Sequence, residues 1–219
     1  MSLTLHFHPL SSFCHKVLIA LYENGTPFTP KLVNLQDEAE RAAFLALWPV
    51  GKFPVLQDSS RDRMVPESSV IIEYLDLHYP GKTRFIPEDP EEARVARFGD
   101  RFYDLHIHLH MQKIVGDRLR PANAKDPHGI ADARTRMAAA LALVEKQMTG
   151  RTWAAGESFT LADCAAAPAL FYADKVAPFA SVYPNLIAYL DRLKQRPSYA
   201  RTLKEAEPYF KFFPKEEAA

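Results

Sequence analysis

The sequence contains few cysteines, no excess of either charge and no long apolar run, and each absence excludes a class of protein. Cys14 and Cys164 are the only 2 cysteines in 219 residues, and they form neither a Cys-x-x-Cys motif nor a zinc-type cysteine and histidine pattern. A disulfide framework is therefore excluded, and reduced thiols are expected. The 27 basic and 27 acidic residues balance. This excludes the basic surface with which proteins bind nucleic acid or anionic membranes.

The sequence also shows no segment that would carry the chain into or across a membrane. No apolar run approaches the length of a membrane span, and Met1 to Leu10 lack the basic and apolar regions of a secretory signal. A cytoplasmic protein is therefore expected. Hydrophobic residues make up 47% of the chain, which is ample for one large packed domain or two smaller ones.

Strand and helix patterns alternate over the first 79 residues. A strand pattern from Leu3 to His8 leads into a helix that ends at Asn24-Gly25. Further strand patterns precede a helix that starts at Pro66-Glu67-Ser68-Ser69. The order βαβαββα predicts an α/β domain over residues 1–79, followed by a linker over residues 80–89.

Only helical patterns follow the linker. Asp89-Pro90-Glu91-Glu92 is typical of a helix start, and apolar residues at helical spacing from Val95 to Leu109 predict a long helix. Phe159 to Asp163 combine a capping box with a hydrophobic staple before an almost uncharged helix. Residues 90–219 are therefore predicted to form an all-helical domain, with a loose tail from Pro208 onward.

The turn between the first strand and the first helix is suited to chemistry with an anion. Ser11 and Ser12 lie at the predicted helix N-terminus, where free N–H groups and the helix dipole favour a thiolate. Lowering a thiol pKa of about 8.5 by about two units takes about 2.7 kcal/mol. A hydroxyl donor to a charged sulfur supplies about 1.5–3 kcal/mol, and the helix end about 0.3–1 kcal/mol. Taken alone, the two serines are better explained as ordinary turn and cap residues, and the motifs further along the chain change that balance.

Four motifs in order show which family this chain resembles. They are Ser-Ser-x-x-x-Lys-Val at Ser11 to Val17, Gly-Lys-x-Pro-Val-Leu at Gly51 to Leu56, the pair Glu67-Ser68, and the capping box at Phe159 to Asp163. With these motifs, the chain resembles a cytosolic glutathione transferase over nearly its whole length. The resemblance implies a thioredoxin-like N-terminal domain, an all-helical C-terminal domain, glutathione as co-substrate without a metal, and a homodimer.

The resemblance also implies roles for the residues of a glutathione site. Ser11 would donate a hydrogen bond to the glutathione sulfur, with Ser12 as the neighbouring alternative. Phe53-Pro54 would be a cis peptide, and the Phe53 backbone would pair with the cysteinyl part of glutathione. The other groups of glutathione would be bound by Ser68 at the γ-glutamyl carboxylate, Glu67 at the ammonium group and Lys52 at the glycyl end.

The position of the first tyrosine favours a serine-type member. That residue is Tyr22, inside the first helix, so no tyrosine stands at the strand end where tyrosine-type members place their donor. The spacing resembles the tau, zeta and theta classes and related bacterial enzymes, although Phe13 replaces the cysteine of the zeta Ser-Ser-Cys signature. Cys14 is an alternative nucleophile, because the first turn of a helix lowers a thiol pKa. It is less favoured because the nucleophile of cysteine-type members matches Ser11, so Cys14, three residues further on, is expected to pack inside or face the dimer.

The long helix after the linker carries histidines that have two interpretations. His106 and His110 share a helix face, but a zinc site needs a third ligand that the sequence does not show. In the family that the chain resembles, this helix lines the pocket for the electrophile. The wall residues are then Phe102, Tyr103, His106 and His110.

The predicted activity is conjugation of glutathione to a small hydrophobic electrophile. A glutathione-dependent peroxidase, isomerase or thiol reductase is one alternative. A non-catalytic protein-binding module with the same fold is another, because a retained site does not by itself establish turnover.

Overall fold

A computed structural model describes residues 2–216, and its N-terminal part is built around a four-stranded sheet. The strands are β1 (Leu3–Phe7), β2 (Thr29–Leu32), β3 (Val55–Asp58) and β4 (Arg63–Pro66), in the order β2-β1-β3-β4. β1 pairs in parallel with β2 and antiparallel with β3, which pairs antiparallel with β4. The two central strands place Leu3, Leu5, Val55 and Leu56 in the core, each at most 1% exposed.

Three helices accompany the sheet, namely α1 (Ser12–Glu23), α2 (Glu38–Leu47) and α3 (Ser68–His78). Ser11 caps the start of α1, and the helix ends before Gly25, whose φ of 62° an L side chain rarely adopts. α1 is buried along most of its length, including Val17 and Leu21. It packs on α3 on one side and on the helical part of the molecule on the other.

The C-terminal part is helical. It consists of α4 (Pro90–Phe102), a π-helical segment (Tyr103–His108), α5 (Leu109–Arg118), α6 (Pro127–Gln147), α7 (Leu161–Val176), α8 (Pro184–Gln195) and α9 (Pro197–Ala206), with 3-10 turns at Ala122–Ala124 and Glu207–Phe212. α7 starts with the predicted capping box of Thr160 and Asp163. It is the buried centre of this part and packs against α1 and α4, while α9 also packs on α1.

A mixed α/β part followed by a helical part confirms the predicted fold class. α3 ends at His78 and α4 begins at Pro90, and the domain limits of 1–79 and 90–219 with a linker at 80–89 stay predictions. Within residues 2–216, no helix is both long and apolar enough to cross a bilayer.

Two features differ from the predictions. The long helix contains the π-helical turn at Tyr103–His108, which an ordinary helical spacing does not reveal. The loose tail is wrong for the described residues from Pro208 to Glu216, because they include a 3-10 turn and pack on the domain. Phe213 stacks on Tyr172 with ring centroids 5.5 Å apart, and this apolar contact fixes the segment.

Candidate active site

The turn after β1 holds Ser11 at the N-cap of α1, with φ −76° and ψ 116°. Its Oγ accepts a hydrogen bond from the Cys14 N–H at 3.3 Å, and its own N–H donates to the His8 carbonyl at 2.9 Å. The residue is half-buried. Because the hydroxyl oxygen acts as an acceptor, its proton remains available to a ligand at the positive end of α1.

Ser12 is buried and already has a partner. Its Oγ lies 2.7 Å from Nε2 of His108, the last residue of the π-helical segment. Both residues are almost inaccessible, at 6% and 1% exposure. Burial and then the charge of Lys16 lower the pKa of His108 to about 3, so the ring is neutral near pH 7. The ring also stacks on Phe13 with centroids 4.2 Å apart.

Cys14 is enclosed in the core rather than presented at the turn. It is 0% exposed, and burial raises the pKa of its thiol to about 12 although Ser11 and His8 oppose the shift. The expected lowering of this pKa is therefore wrong, because desolvation of the thiolate outweighs the helix start. Burial likewise raises the pKa of Cys164 well above its usual value.

The turn before β3 contains the cis peptide Phe53-Pro54 that the resemblance implies. Phe53 is half-buried and stacks on His8 with ring centroids 6.0 Å apart, while Lys52 is exposed. His8 follows β1 and leads into the turn with Ser11. The cis turn and the Ser11 turn are therefore neighbours in space.

The start of α3 has the features of a site for an anion. No side chain in the described part of the chain caps this helix, and Ser68 is its first residue. Its first N–H groups therefore lack a helical partner and suit a carboxylate. Glu67 is exposed and has a φ of 71°, a strained value for a residue other than glycine that is often found at ligand sites.

The four expected wall residues adjoin one another but differ in exposure, and the Phe102 ring lies 5.9 Å from that of Tyr103 and 5.2 Å from that of His106. Phe102 and Tyr103 are 9% and 3% exposed, and Tyr103 lies beside Tyr189 and Asp163 in the core of the helical part. Most of the surface of both side chains is used in packing, and their place in a pocket wall stays a prediction. His106 is exposed and His110 is half-buried, near the side chains of Asp132 and Arg136 on α6.

The residue of this segment that contacts the Ser11 turn is His108, which the sequence analysis missed. The i, i+4 spacing drew attention to His106 and His110 instead. Inside a π-helix the hydrogen bonds run from i to i+5, so neighbours on one face are not those of an α-helix. The spacing of apolar and polar residues in the sequence therefore does not show that His108 is buried and faces α1.

Lys16 is a buried ammonium group that joins α1 to the helical part. It is 1% exposed, contacts the Asp100 carboxylate, and donates hydrogen bonds of 2.8 Å to Asp104 and to Ser69. Ser69 in turn donates to Asp100 at 2.8 Å. A buried charge requires such partners, because an unpaired one is strongly destabilising.

A cavity of about 270 Å³ adjoins the turn at Pro9 and is lined by Phe7, Leu18, Leu32 and Tyr209 among others. Its lining includes none of the predicted glutathione-site residues, so it is a separate space between the sheet and α9. Over residues 2–216, no group of three or more His, Cys, Asp or Glu side chains is arranged to hold a metal ion.

Comparison with known proteins gives a consistent assignment. Residues 5–83 match the N-terminal domain of glutathione S-transferases, and residues 127–192 match their C-terminal domain. Glutathione S-transferase U25 of Arabidopsis thaliana is 29% identical over 216 residues, covering 96% of this chain and 92% of the relative. FtsZ-localized protein A of Caulobacter vibrioides is 28% identical over 217 residues, covering 94% and 92%.

A solved structure shows the same architecture. The glutathione S-transferase of Methylobacillus flagellatus KT, crystallised with GSH bound, superposes with a TM-score of 0.84 at 26% identity, covering 92% of this chain and 98% of that one. The two family domains follow one another in the order and position of the sheet part and the helical part described above. The chain therefore belongs to the glutathione S-transferase family.

Proposed function

We propose that this family member is an enzyme in which the Ser11 hydroxyl stabilises the thiolate of glutathione. The observation that carries this proposal is that the two serine hydroxyl groups differ in burial and in their hydrogen bonds. Ser11 is half-buried and keeps its hydroxyl proton, whereas the Ser12 hydroxyl is buried against His108. The proposal thus takes Ser11 rather than Ser12 as the donor, and the chain as a serine-type transferase.

In this proposal glutathione lies along the start of α3 and the cis turn. Its γ-glutamyl carboxylate accepts hydrogen bonds at Ser68, where α3 has no side-chain cap. The ammonium group pairs with Glu67, and Lys52 reaches the glycyl carboxylate; both side chains are exposed. The Phe53 backbone, held by the turn with Pro54, pairs with the cysteinyl part.

The chemistry then requires charge stabilisation and proximity. The bound thiol releases its proton to solvent, and the Ser11 hydroxyl and the α1 N-terminus stabilise the thiolate. The sulfur forms a bond to an electrophilic carbon, and the leaving group departs with its electron pair. A small hydrophobic electrophile held beside the turn converts this step into an intramolecular one.

We place the electrophile against the helical part beside the same turn. Of the expected wall residues, His106 and His110 retain accessible surface, whereas Phe102 and Tyr103 are buried in the core. In a conjugation assay, His110→Ala is expected to raise KM for the electrophile and to leave KM for glutathione unchanged. Equal values of KM for the electrophile in the variant and the wild type would remove His110 from the wall.

A homodimer is part of the same proposal. α3 and α4 are joined by a bidentate ion pair between Arg97 and Glu73, and both helices expose apolar side chains near it. α3 exposes Val70 and Leu77, α4 exposes Phe98, and Leu105 and Leu109 follow in the π-helical segment and at the start of α5; these side chains are 40–73% exposed. An apolar surface of this kind is typical of an interface. Analytical ultracentrifugation is expected to show a dimer for the wild type and a weakened dimer for Phe98→Asp. A monomeric wild type would refute the homodimer.

The function is tested by binding and turnover measured on the same preparation. The wild-type protein is expected to bind immobilised glutathione, to show an ultraviolet thiolate band when glutathione is added at neutral pH, and to conjugate it to an aromatic halide. A panel with a hydroperoxide, an isomerisable dienone and a mixed disulfide separates conjugation from the peroxidase, isomerase and reductase alternatives. Absence of the thiolate band would contradict the proposal.

A non-catalytic binding module is the second candidate, because the similar Caulobacter protein is named for its localisation with FtsZ rather than for a transfer reaction. Its expected result differs from that of the enzyme. Glutathione then binds and no electrophile of the panel turns over, whereas the enzyme gives both binding and product.

A further inference from the structure

We propose that two side chains of the helical part, Tyr172 and His108, hold the turn on either side of Ser11 and so aim its hydroxyl at the glutathione sulfur. The inference rests on the proposed function and deepens it. Under this proposal the helical part does more than shape an electrophile pocket, because it supplies positioning residues for the ionisation of glutathione. We call these two contacts the turn clamp.

The first contact of the turn clamp precedes Ser11. Tyr172 lies in the C-terminal half of α7 and is 1% exposed, and its hydroxyl donates a 3.0 Å hydrogen bond to the backbone carbonyl of Leu10. Its ring lies 5.6 Å from that of His15 on α1, centroid to centroid. The tyrosine therefore reaches across from the centre of the helical part to the residue directly before Ser11.

The second contact follows Ser11. His108 approaches from the π-helical segment, and its Nε2 lies 2.7 Å from Oγ of Ser12. The Phe13 ring covers the imidazole at a centroid distance of 4.2 Å. Whichever ring nitrogen carries the proton, the neutral imidazole and the buried hydroxyl satisfy each other, and the position of Ser12 is fixed.

The π-helical segment is held against α1 by a second polar contact one turn further along. Ser12 and Lys16 are four residues apart on α1, and their partners His108 and Asp104 are four residues apart on the facing segment. Two rungs between the same pair of elements fix their register as well as their distance. π-helical turns occur often at functional sites, and here the turn is what brings His108 to Ser12.

The Ser11 side chain makes a single hydrogen bond within the described residues, accepting from the Cys14 N–H at 3.3 Å. That bond is long, so it restrains the hydroxyl weakly. The Ser11 backbone is bonded within the turn and α1, through its N–H to the His8 carbonyl and from the His15 N–H to its carbonyl, both at 2.9 Å. The helical part adds restraints on the two neighbours, Leu10 and Ser12, and these contacts help to set the direction of the Ser11 side chain. A small rotation of this turn would move the hydroxyl away from the sulfur, and displacements of about 1 Å can reduce a rate by about a hundred-fold.

The test uses Tyr172→Phe and His108→Phe, each of which removes a hydrogen bond and keeps an aromatic ring in place. The thiolate absorbance of bound glutathione is measured for each protein at one pH. That pH is the one at which half of the glutathione bound to the wild type is in the thiolate form. We expect the ionised fraction to fall from one half to about one tenth in each variant, which corresponds to one pKa unit. kcat is expected to fall about ten-fold or more, while KM for glutathione stays within about two-fold.

Two matched controls separate positioning from general destabilisation. Tyr199→Phe removes a buried tyrosine hydroxyl that donates to the Ala167 carbonyl at 3.2 Å and does not contact the turn. Ser198→Ala removes a buried serine that donates to Glu23 at 2.8 Å, at the far end of α1. Both controls are expected to lower the melting temperature and to leave the ionised fraction at one half.

The outcomes are distinct. Variants that bind glutathione and keep the ionised fraction at one half overturn the turn clamp while the proposed function stands. A wild-type protein that binds glutathione without a thiolate band overturns both. If His108→Phe does not fold, Ser12→Ala breaks the same contact from the turn side, and His108→Gln, which retains a hydrogen-bonding nitrogen, is expected to restore most of the ionised fraction.

Discussion

Replacing Ser11 by alanine tests the proposed reaction at its central atom. The variant loses the hydroxyl donor to a charged sulfur, a contribution of about 1.5–3 kcal/mol. Since one pKa unit corresponds to about 1.4 kcal/mol, the pKa of bound glutathione is expected to rise by about one to two units. The start of α1 remains and retains about 0.3–1 kcal/mol, so the thiol stays somewhat more acidic than in free glutathione.

The same substitution also removes the N-cap of α1. Loss of a serine cap costs about 0.5–2 kcal/mol of stability, and the 3.3 Å distance from Ser11 Oγ to the Cys14 nitrogen favours the lower end. Ser11→Gly provides the matched variant, because glycine at a cap costs only a few tenths of a kcal/mol. Both variants are expected to raise the thiol pKa equally, with alanine the less stable of the two.

The assay is an ultraviolet titration of the thiolate on the bound protein, paired with kcat against pH. Below the wild-type thiol pKa, kcat of both variants is expected to fall about ten- to a hundred-fold, with KM for glutathione nearly unchanged. Asp126→Ala, which removes the cap bond of 2.8 Å at α6, controls for cap loss far from the site. An unchanged titration in Ser11→Ala would refute the assignment and move the donor role to Ser12.

The other predictions concern groups outside the glutathione site. Lys16→Met leaves the buried carboxylates of Asp100 and Asp104 without their cation, and urea denaturation is expected to show a free energy of unfolding lower by about 3–5 kcal/mol. Replacing both aspartates by asparagine in the Lys16→Met background is expected to restore part of that stability. Cys14, whose pKa burial raises to about 12, is expected to escape alkylation in the native protein and to react only after unfolding, as followed by mass spectrometry; rapid native labelling would contradict its burial. Burial alone would raise the pKa of Asp58, but hydrogen bonds, of which that from Tyr79 is the largest, lower it to about 2. The ionised carboxylate therefore stabilises the fold at pH values above its ordinary pKa of 3.8, and this stabilisation is lost as the pH falls toward 2. The stability difference between the wild type and Tyr79→Phe is therefore expected to shrink over that acid range.

Much of the fold could be predicted because its signals are local. The capping box at Thr160 and Asp163, the start at Pro90 and the stop before Gly25 each depend on a few neighbouring residues. The burial of α7 follows from its lack of charge, which no distant residue alters. The tail was misjudged because its order comes from Phe213 meeting Tyr172, residues 41 positions apart that no local pattern connects.

The site was only partly predictable for the same reason. The family resemblance pointed to Ser11, Phe53-Pro54 and Ser68; the cis peptide is present, each stands in a turn or at the start of a helix, and their roles toward glutathione stay predictions. The burial of Cys14 agrees with the favoured expectation that it packs, but the expected direction of its pKa shift is wrong, because desolvation in the packed molecule outweighs a local helix end. His108 was missed because the π-helical turn that directs it at Ser12 has no signature in the apolar periodicity.

The enclosure of α1 by both parts of the molecule limits how the chain can be divided or recombined. Residues 1–79 expressed alone would present to water the side of α1 that α7 and α9 cover, and would strand Lys16 without its acidic partners. A chimera that joins this segment to the helices of another family member inherits the same difficulty unless the graft carries a carboxylate for Lys16. Exchange of the two halves in evolution or in engineering is therefore expected to succeed only where those docking residues travel together.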